Sequence, residues 1–404
     1  MTVSIDLRNI HGIAKASDMN QSFRNHDGTL TEVPGHKMTQ SSGKGVCAIV
    51  GTGSFAGVSH LLTVNSLHRD GEELSSRETG ERWVEKIPSL LPLCGVDDEA
   101  AKMAWFCGII PALDASVDGA LFSAVRALPS SPHDREVSKA FDAVLDATET
   151  LRDKLEEDGA LNGFNREAAR LALSGLTRQT LAQHLCDELG IDHVPSKAQE
   201  ARVVDLAVAL ATKDYDGRDE ARLIFSGFGA NEIVATIAVV SFYGIIGDQV
   251  LYSMELDDPT KGDPITTVRT FAQSDGQSAL MHGMYEDDVE GFSTTAGDIA
   301  KEMFGLTDEQ GAKMSERVQE VTTYHLRSNY FEPFLRTVSG LSVEGLARVA
   351  DLLCRVQELR AASAYTEASV GGVIEVVTIT KRDGIVWHRR LSSGLNANEG
   401  GLLE

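Results

Sequence analysis

Apolar and polar positions alternate at both ends of the chain and recur three and four residues apart through most of its middle. At the front, "TVSIDL" alternates, "RNIHG" supplies a turn and "IAKAS" resumes the pattern before Asp18, which predicts a strand pair. Residues 19–36 are polar and glycine-containing and read as a loop. "GVCAIV" is an apolar run of strand length. Behind it, "SFAGVSHLLTVNSLH" and "RETGERWVEKIPSLL" carry helical spacing.

From 98 to 215 the pattern is helical almost throughout. "DDEAAKMAWFCGII", "REVSKAFDAVLDATETLRDKL", "REAARLALSGL" and "AQEARVVDLAVALAT" are amphipathic, with carboxylates in their early turns. Strands return in "ARLIFSGFG", "EIVATIAVVSFYG", "QVLYSMEL" and "PITTVRTFA". Helices follow from about 276 to 362, and "GVIEVVTITKRDGIVWHRR" closes the chain as a strand pair. This order predicts an α+β protein of stacked sheet and helix layers. A core made of residues 1–97 and 216–404 would be interrupted by a helical insertion at 98–215.

Composition narrows the function. With 404 residues, 42% hydrophobic and 24% charged, the chain can bury a sizeable core. A formal charge of −23 argues against a partner that is nucleic acid, whose phosphates need clustered Lys and Arg. Five scattered cysteines without a C-x-x-C pair read as buried thiols in a reducing cytosol. "MTVSIDLRN" lacks the marks of a signal peptide, and "IVATIAVVSFYGIIG" is too short to span a bilayer, so the expectation is a cytoplasmic protein without a membrane partner. His184, Cys186 and His193 in "HLCDELGIDH" fit no metal-ligand spacing, and neither a metal nor another cofactor is expected. There is also no G-x-S-x-G elbow.

Gly51, Gly53 and Gly57 invite a nucleotide-binding reading. The segment after the following helix, "HRDGEELSSRETGERW", carries no apolar strand to present a ribose-binding acid, and no G-K-[ST] follows the glycines. Glycines that let a helix start close under a sheet explain the pattern as well.

Thr2 suggests different chemistry. Once Met1 is removed, an N-terminal threonine offers a hydroxyl nucleophile and an α-amine base in one residue. The amine's ordinary pKa of about 7.7–8 lets it accept the hydroxyl proton near neutrality. Such a site needs a lysine to keep the amine's pKa down, a carboxylate to position that lysine, and an unobstructed backbone N–H for the oxyanion.

Here the chain resembles the proteasome-type N-terminal-nucleophile (Ntn) hydrolases, the group that includes proteasome β-subunits and HslV-like peptidases. Asp18 lies sixteen residues after Thr2, the family interval, within "GIAKASD", which is similar to G-V-x-x-A-A-D. Lys37 in "GHKM" falls about three residues late for the family lysine, and Gly51 follows fourteen residues later, at the family's oxyanion glycine. "FAQSDGQSALMHGM" resembles the turn that carries an assisting serine, here Ser274. "TEASVGGVIEVVTITKRDGIVW" resembles the last family stretch, with Glu367 in place of an aspartate, Val370 in place of a serine, and the paired glycines Gly371 and Gly372. The closing hairpin is especially like bacterial proteasome-related proteins.

The resemblance covers about 2–95 and 218–390. It implies a four-layer αββα sandwich of Ntn-hydrolase type and a threonine-type amidohydrolase, a peptidase by preference, acting on a peptide or amide substrate as a homo-oligomer. It leaves any unfoldase partner unspecified. Thr2, Asp18, Lys37, Gly51, Ser274 and Glu367 would form the site. Bland roles stand beside these: Asp18 capping a turn, Lys37 as a solvated charge, Ser274 with Asp275 capping a helix. The substitutions at Glu367 and Val370, with the insertion, support an alternative: a catalytically inactive, structural or partner-binding protein on the same fold.

Overall fold

The computed structural model describes residues 3–24, 30–51, 53–67, 72–128, 133–157, 164–173, 176–188, 193–211, 221–247, 249–272, 275–284, 286–363 and 371–390. The first part runs β1 (Val3–Asn9), β2 (Gly12–Asp18), β3 (Asn20–Arg24), β4 (Leu30–Pro34), β5 (Met38–Ser42) and β6 (Gly45–Gly51). A miniature hairpin, β7 (Ser54–Phe55) and β8 (Val58–Ser59), leads into α1 (His60–Leu67) and α2 (Ser76–Leu93). The helical block holds α3 (Asp98–Ala127), α4 (Asp134–Glu157), α5 (Arg166–Ala172), α6 (Leu176–Glu188) and α7 (Lys197–Ala211). Strands β9 (Ala221–Gly227), β10 (Thr236–Ile246), β11 (Gln249–Asp257) and β12 (Thr267–Ala272) follow. Then come α8 (Asp275–His282), α9 (Glu286–Phe304), α10 (Asp308–Leu326), a π-helical turn over Arg327–Phe331, α11 (Glu332–Ser339), α12 (Val343–Ser363) and the hairpin β13 (Ile374–Thr380)–β14 (Gly384–Arg389).

Two antiparallel five-stranded sheets, β12-β1-β2-β13-β14 and β11-β10-β9-β6-β5, organise the α+β fold. Alternation along β1 sorts its side chains. Val3, Ile5 and Leu7 pack with Leu346, Ala350, Leu353 and Cys354 of α12. The intervening Asp6 and Arg8 bond residues of the second sheet, Ser226 of β9 and Asp257 of β11. Between the sheets lie Ile13, Val46, Ala48, Ile224, Val239, Phe271 and Val377. Beyond the second sheet, Phe225, Val240 and Phe242 meet Val64 of α1 and Trp83 and Ile87 of α2, whose start is fixed by a Ser75–Glu78 capping box.

The helical block is seated on β10 through a bulge between Phe242 and Gly244. Gly244 has φ +127°, and a Cβ there would stand 3.1 Å from the Trp105 ring of α3. The bulge turns Tyr243 and Ile246 into a cluster shared with Trp105, Ile109, Phe141 and Leu210. No helix among the described residues is long and apolar enough to cross a membrane.

Two expectations need correction. Residues 19–36 are not wholly loop: β3 and β4 pair from Asn20↔Pro34 to Arg24↔Leu30 as a separate two-stranded ribbon. A ribbon that belongs to neither large sheet imposes little apolar alternation on the sequence. The helix read from "SFAGVSHLL" begins only at His60, because Ala56 and Gly57 both have positive φ and close the β7–β8 turn. The nucleotide reading also falls, since β6 has antiparallel neighbours, β5 and β9, on both sides, whereas a dinucleotide fold needs a parallel one.

His60 opens α1 inside an aromatic box, its ring centroid 5.3 Å from Phe242 and 5.8 Å from Trp83, with Nε2 buried and unpaired. Burial lowers its pKa to about 4. The unfolded chain therefore binds the proton first, so this contribution to stability is whole above about pH 6.5 and is lost as pH falls towards 4. The loss is expected to reach about 3 kcal/mol. Urea unfolding at pH 7.5 and 4.5 should show His60→Leu losing less on acidification than the unaltered chain; parallel losses would refute this.

Candidate active site

The front corner of the first sheet is built by the β1–β2 register. Ser4 lies opposite Ser17, which brings Val3 level with Asp18. Both peptide groups of Val3 are held. Its N–H donates to Asp18 Oδ1 at 2.9 Å, and its carbonyl accepts from Ser17 Oγ at 2.9 Å. Gly371 N–H approaches Asp18 Oδ2 at 3.5 Å from the segment leading into β13.

Lys37 enters from the second sheet, immediately before β5. Its carbonyl accepts from Ile49 N–H of β6 at 2.9 Å, and its Nζ reaches Asp18 Oδ1 at 3.0 Å. The ion pair is sealed, with side chains 6% and 1% exposed for Lys37 and Asp18. Lys37 is therefore no solvated charge, and Asp18 spends its carboxylate on the β1 backbone and on Lys37. Burial is the largest influence on the Asp18 carboxyl and raises its pKa; the Lys37 charge and the Val3 and Gly371 N–H groups act against it without reversing it.

Gly51 ends β6 with φ +82°, a conformation that favours glycine, and stands two residues beyond the Ile49 that anchors Lys37. Residues two apart on a strand are about 7 Å apart. The corner thus joins Asp18 of β2 to Lys37 at the entry to β5, with Gly51 at the end of the neighbouring strand β6. Thr2, Ser274 and Glu367 lie outside the described residues. Next to Ser274, the Gly276 N–H in the first turn of α8 donates to Gln357 Oε1 at 2.8 Å.

A second charged pair adjoins the first. His36 Nδ1 lies 2.7 Å from Glu375 Oε1, with the Glu375 side chain fully buried and its Oε2 unpaired. His36 precedes Lys37, and Glu375 lies opposite Ser17, so the two pairs run side by side. Sequence reasoning missed both residues. The signal for Glu375 was a lone carboxylate inside the apolar run "GVIEVVTIT".

Other groups are less suited to the chemistry. The Cys354 and Cys47 thiols are pushed well up by burial, which leaves them poor nucleophiles. His184 pairs with Asp114 at 2.9 Å and His193 with Gln199 at 3.3 Å, and no group of three or more potential ligands gathers among the described residues.

No protein-family model matches the chain, and no curated protein matches it either. Among solved structures it is similar to a mutant Anbu from Hyphomicrobium sp. strain MC1, at 12% identity and TM-score 0.30, covering 96% of this chain and 86% of that one. It is also similar to Anbu from the same strain, at 9% identity and TM-score 0.27, covering 96% and 85%. A third is Anbu, described as an ancestral beta-subunit, from Yersinia bercovieri, at 11% identity and TM-score 0.28, covering 95% and 86%. At such scores the superpositions carry no argument from those proteins to this chain.

Proposed function

We propose that the chain is a threonine-type amidohydrolase of the proteasome-like Ntn class, a peptidase by preference, with Thr2 as its nucleophile. The observation that supports this best is the sealed Lys37–Asp18 pair at the start of β1, with Asp18 also holding the N–H of Val3, the residue bonded to Thr2. A buried ion pair is weak as a source of stability, so its position at the chain's front favours a role in chemistry. Thr2 Oγ attacks the carbonyl, and the α-amine freed by loss of Met1 takes the hydroxyl proton. It passes that proton to the leaving nitrogen as the C–N bond breaks, and water then hydrolyses the ester on Thr2. The Lys37 charge keeps that amine basic at neutral pH rather than protonated, and the Gly51 N–H receives the oxyanion. The αββα sandwich, the insertion at 98–215, assembly as a homo-oligomer and supporting roles for Ser274 and Glu367 belong to the same reading.

The test is the mass of the N-terminal peptide together with labelling by a β-lactone or epoxyketone. The expected result is a chain that begins at Thr2 and carries the label there, with none on Thr2→Ala. Met1 retained throughout, or no label, would defeat the assignment and favour the inactive, partner-binding alternative.

A further inference from the structure

Gln277, in the first turn of α8, is fully buried, and its amide is only half satisfied. Its Nε2 donates to the Leu353 carbonyl of α12 at 3.4 Å, while Oε1 has no hydrogen-bond partner among the described residues. The two amide atoms cannot be exchanged, because only the NH2 group can donate to a carbonyl. A buried acceptor without a donor is destabilising, and an apolar side chain in the same space would avoid that cost. The orphaned oxygen therefore calls for a donor outside the described residues.

Its position narrows the choice. Gln277 and Met281 are four residues apart and share one face of α8. Met281 lies in the cluster that holds Val3 of β1 with Leu353 and Cys354 of α12. Gln277 is one turn nearer the end of β12, where Ala272 lies opposite Val3. The part of α12 that receives its Nε2 borders the same corner. The Cys354 thiol, next to Leu353, is raised chiefly by burial, and the charges of Asp18 and Lys37 also reach it. The groups already placed there are engaged with one another. Val3 donates to Asp18 and accepts from Ser17, and Asp18 Oδ1 also takes Lys37 Nζ. Residue 2 comes next along the chain, and a freed α-amine there brings two N–H donors when neutral and three when protonated. Val370, the residue before Gly371, has no polar side chain to receive them.

We propose that Gln277 Oε1 accepts a hydrogen bond from the Thr2 α-amine, which makes Gln277 a positioning residue that turns the amine's lone pair towards the threonine hydroxyl. The inference rests on the hydrolase reading for its meaning, but its test reads the amine directly. Ionisable groups on the elements around this corner are Asp18, Lys37, the His36–Glu375 pair, Asp275 of α8, and Asp351, Arg355 and Arg360 of α12; Asp351 is held by Arg355 and Arg389. The α-amine is titrated by its rate of acylation with acetic anhydride across a pH series, read as the mass of the N-terminal peptide, in parallel with electrophile labelling of Thr2. Gln277→Met should move the amine's titration about 0.5–1 pH unit lower, because an acceptor favours the charged, three-donor form. Labelling should slow about tenfold even where the amine is neutral, since the amine is no longer held in place. The shift is opposite in sign to that expected of Lys37→Met. Gln277→Glu keeps an acceptor and adds a charge, so the amine should titrate higher than in the unaltered chain while labelling above that pH recovers. An amine titration and labelling rate unchanged in Gln277→Met overturn the contact. Should Gln277→Met fail to fold, Gln277→Glu decides alone, by an upward shift or its absence. A shifted amine without any electrophile labelling would uphold the contact and remove the hydrolase reading. Labelling with an amine untouched by both substitutions would do the reverse, and Met1 retained throughout would end both.

Discussion

Lys37→Met is expected to slow electrophile labelling of Thr2 by about 10²–10⁴-fold at pH 7, the range usual for loss of acid–base assistance. Lys37 is the cation that meets Asp18 in a corner almost closed to solvent, so its charge acts through little water. Removing that charge lets the threonine amine hold its proton to higher pH. The pH profile of labelling should therefore shift upward as the rate falls. Asp18 limits the structural damage, since burial raises its pKa and the Lys37 charge opposes that rise, so removing the charge makes it easier for the carboxyl to take a proton. Lys37→Arg keeps the charge and should retain more activity than Lys37→Met. An unchanged rate and profile in Lys37→Met would remove Lys37 from the mechanism. A chain that unfolds instead would show as loss of its far-ultraviolet spectrum.

The parts legible in the sequence are those specified by local pattern. β1, β2, β6, β9, β10 and β13 announce themselves because each is buried along most of its length, and α2–α4 and α7 because each carries an apolar stripe. Asp18, Lys37 and Gly51 were singled out by spacing. The meeting of Asp18 and Lys37 depends on register, which puts Val3 beside Asp18, on the Ile49–Lys37 bond within the second sheet, and on the Lys37 Nζ–Asp18 contact that joins that sheet to the first. What escaped is what stacking alone determines. His36 and Glu375 are 339 positions apart, and Arg8 and Asp257 are 249 apart, so no window of sequence brings them together. The β10 bulge escaped for a related reason. Gly244 is one glycine among 37, and only Trp105, arriving from the helical block, shows why it must be one.

Arg8→Met is expected to cost about 3–5 kcal/mol in urea unfolding, the usual consequence of removing one partner from a buried charge pair. The Arg8 side chain is fully buried. It donates to the carbonyls of Ile265, Ala235, Asp257 and Pro264 as well as to the Asp257 carboxylate. Methionine fills part of the volume but offers no N–H, which strands the Asp257 carboxylate and the buried carbonyls of Ala235 and Asp257, while those of the exposed Pro264 and Ile265 can turn to water. Arg8→Met with Asp257→Leu should recover part of the loss by removing the stranded charge. A cost below about 1 kcal/mol for Arg8→Met would mean that solvent enters this end of the sandwich freely. Arg8 also separates stability from chemistry. It lies five residues along β1 from Val3, about 17 Å away, and ties the far end of that strand to the β11–β12 connection. In the absence of denaturant, Thr2 should therefore label at a nearly normal rate in Arg8→Met, whereas Lys37→Met should fail to label while resisting urea far better. If both substitutions lowered labelling and stability in proportion, the corner around Asp18 would be acting as part of the core, and the case for a dedicated catalytic pair would fall.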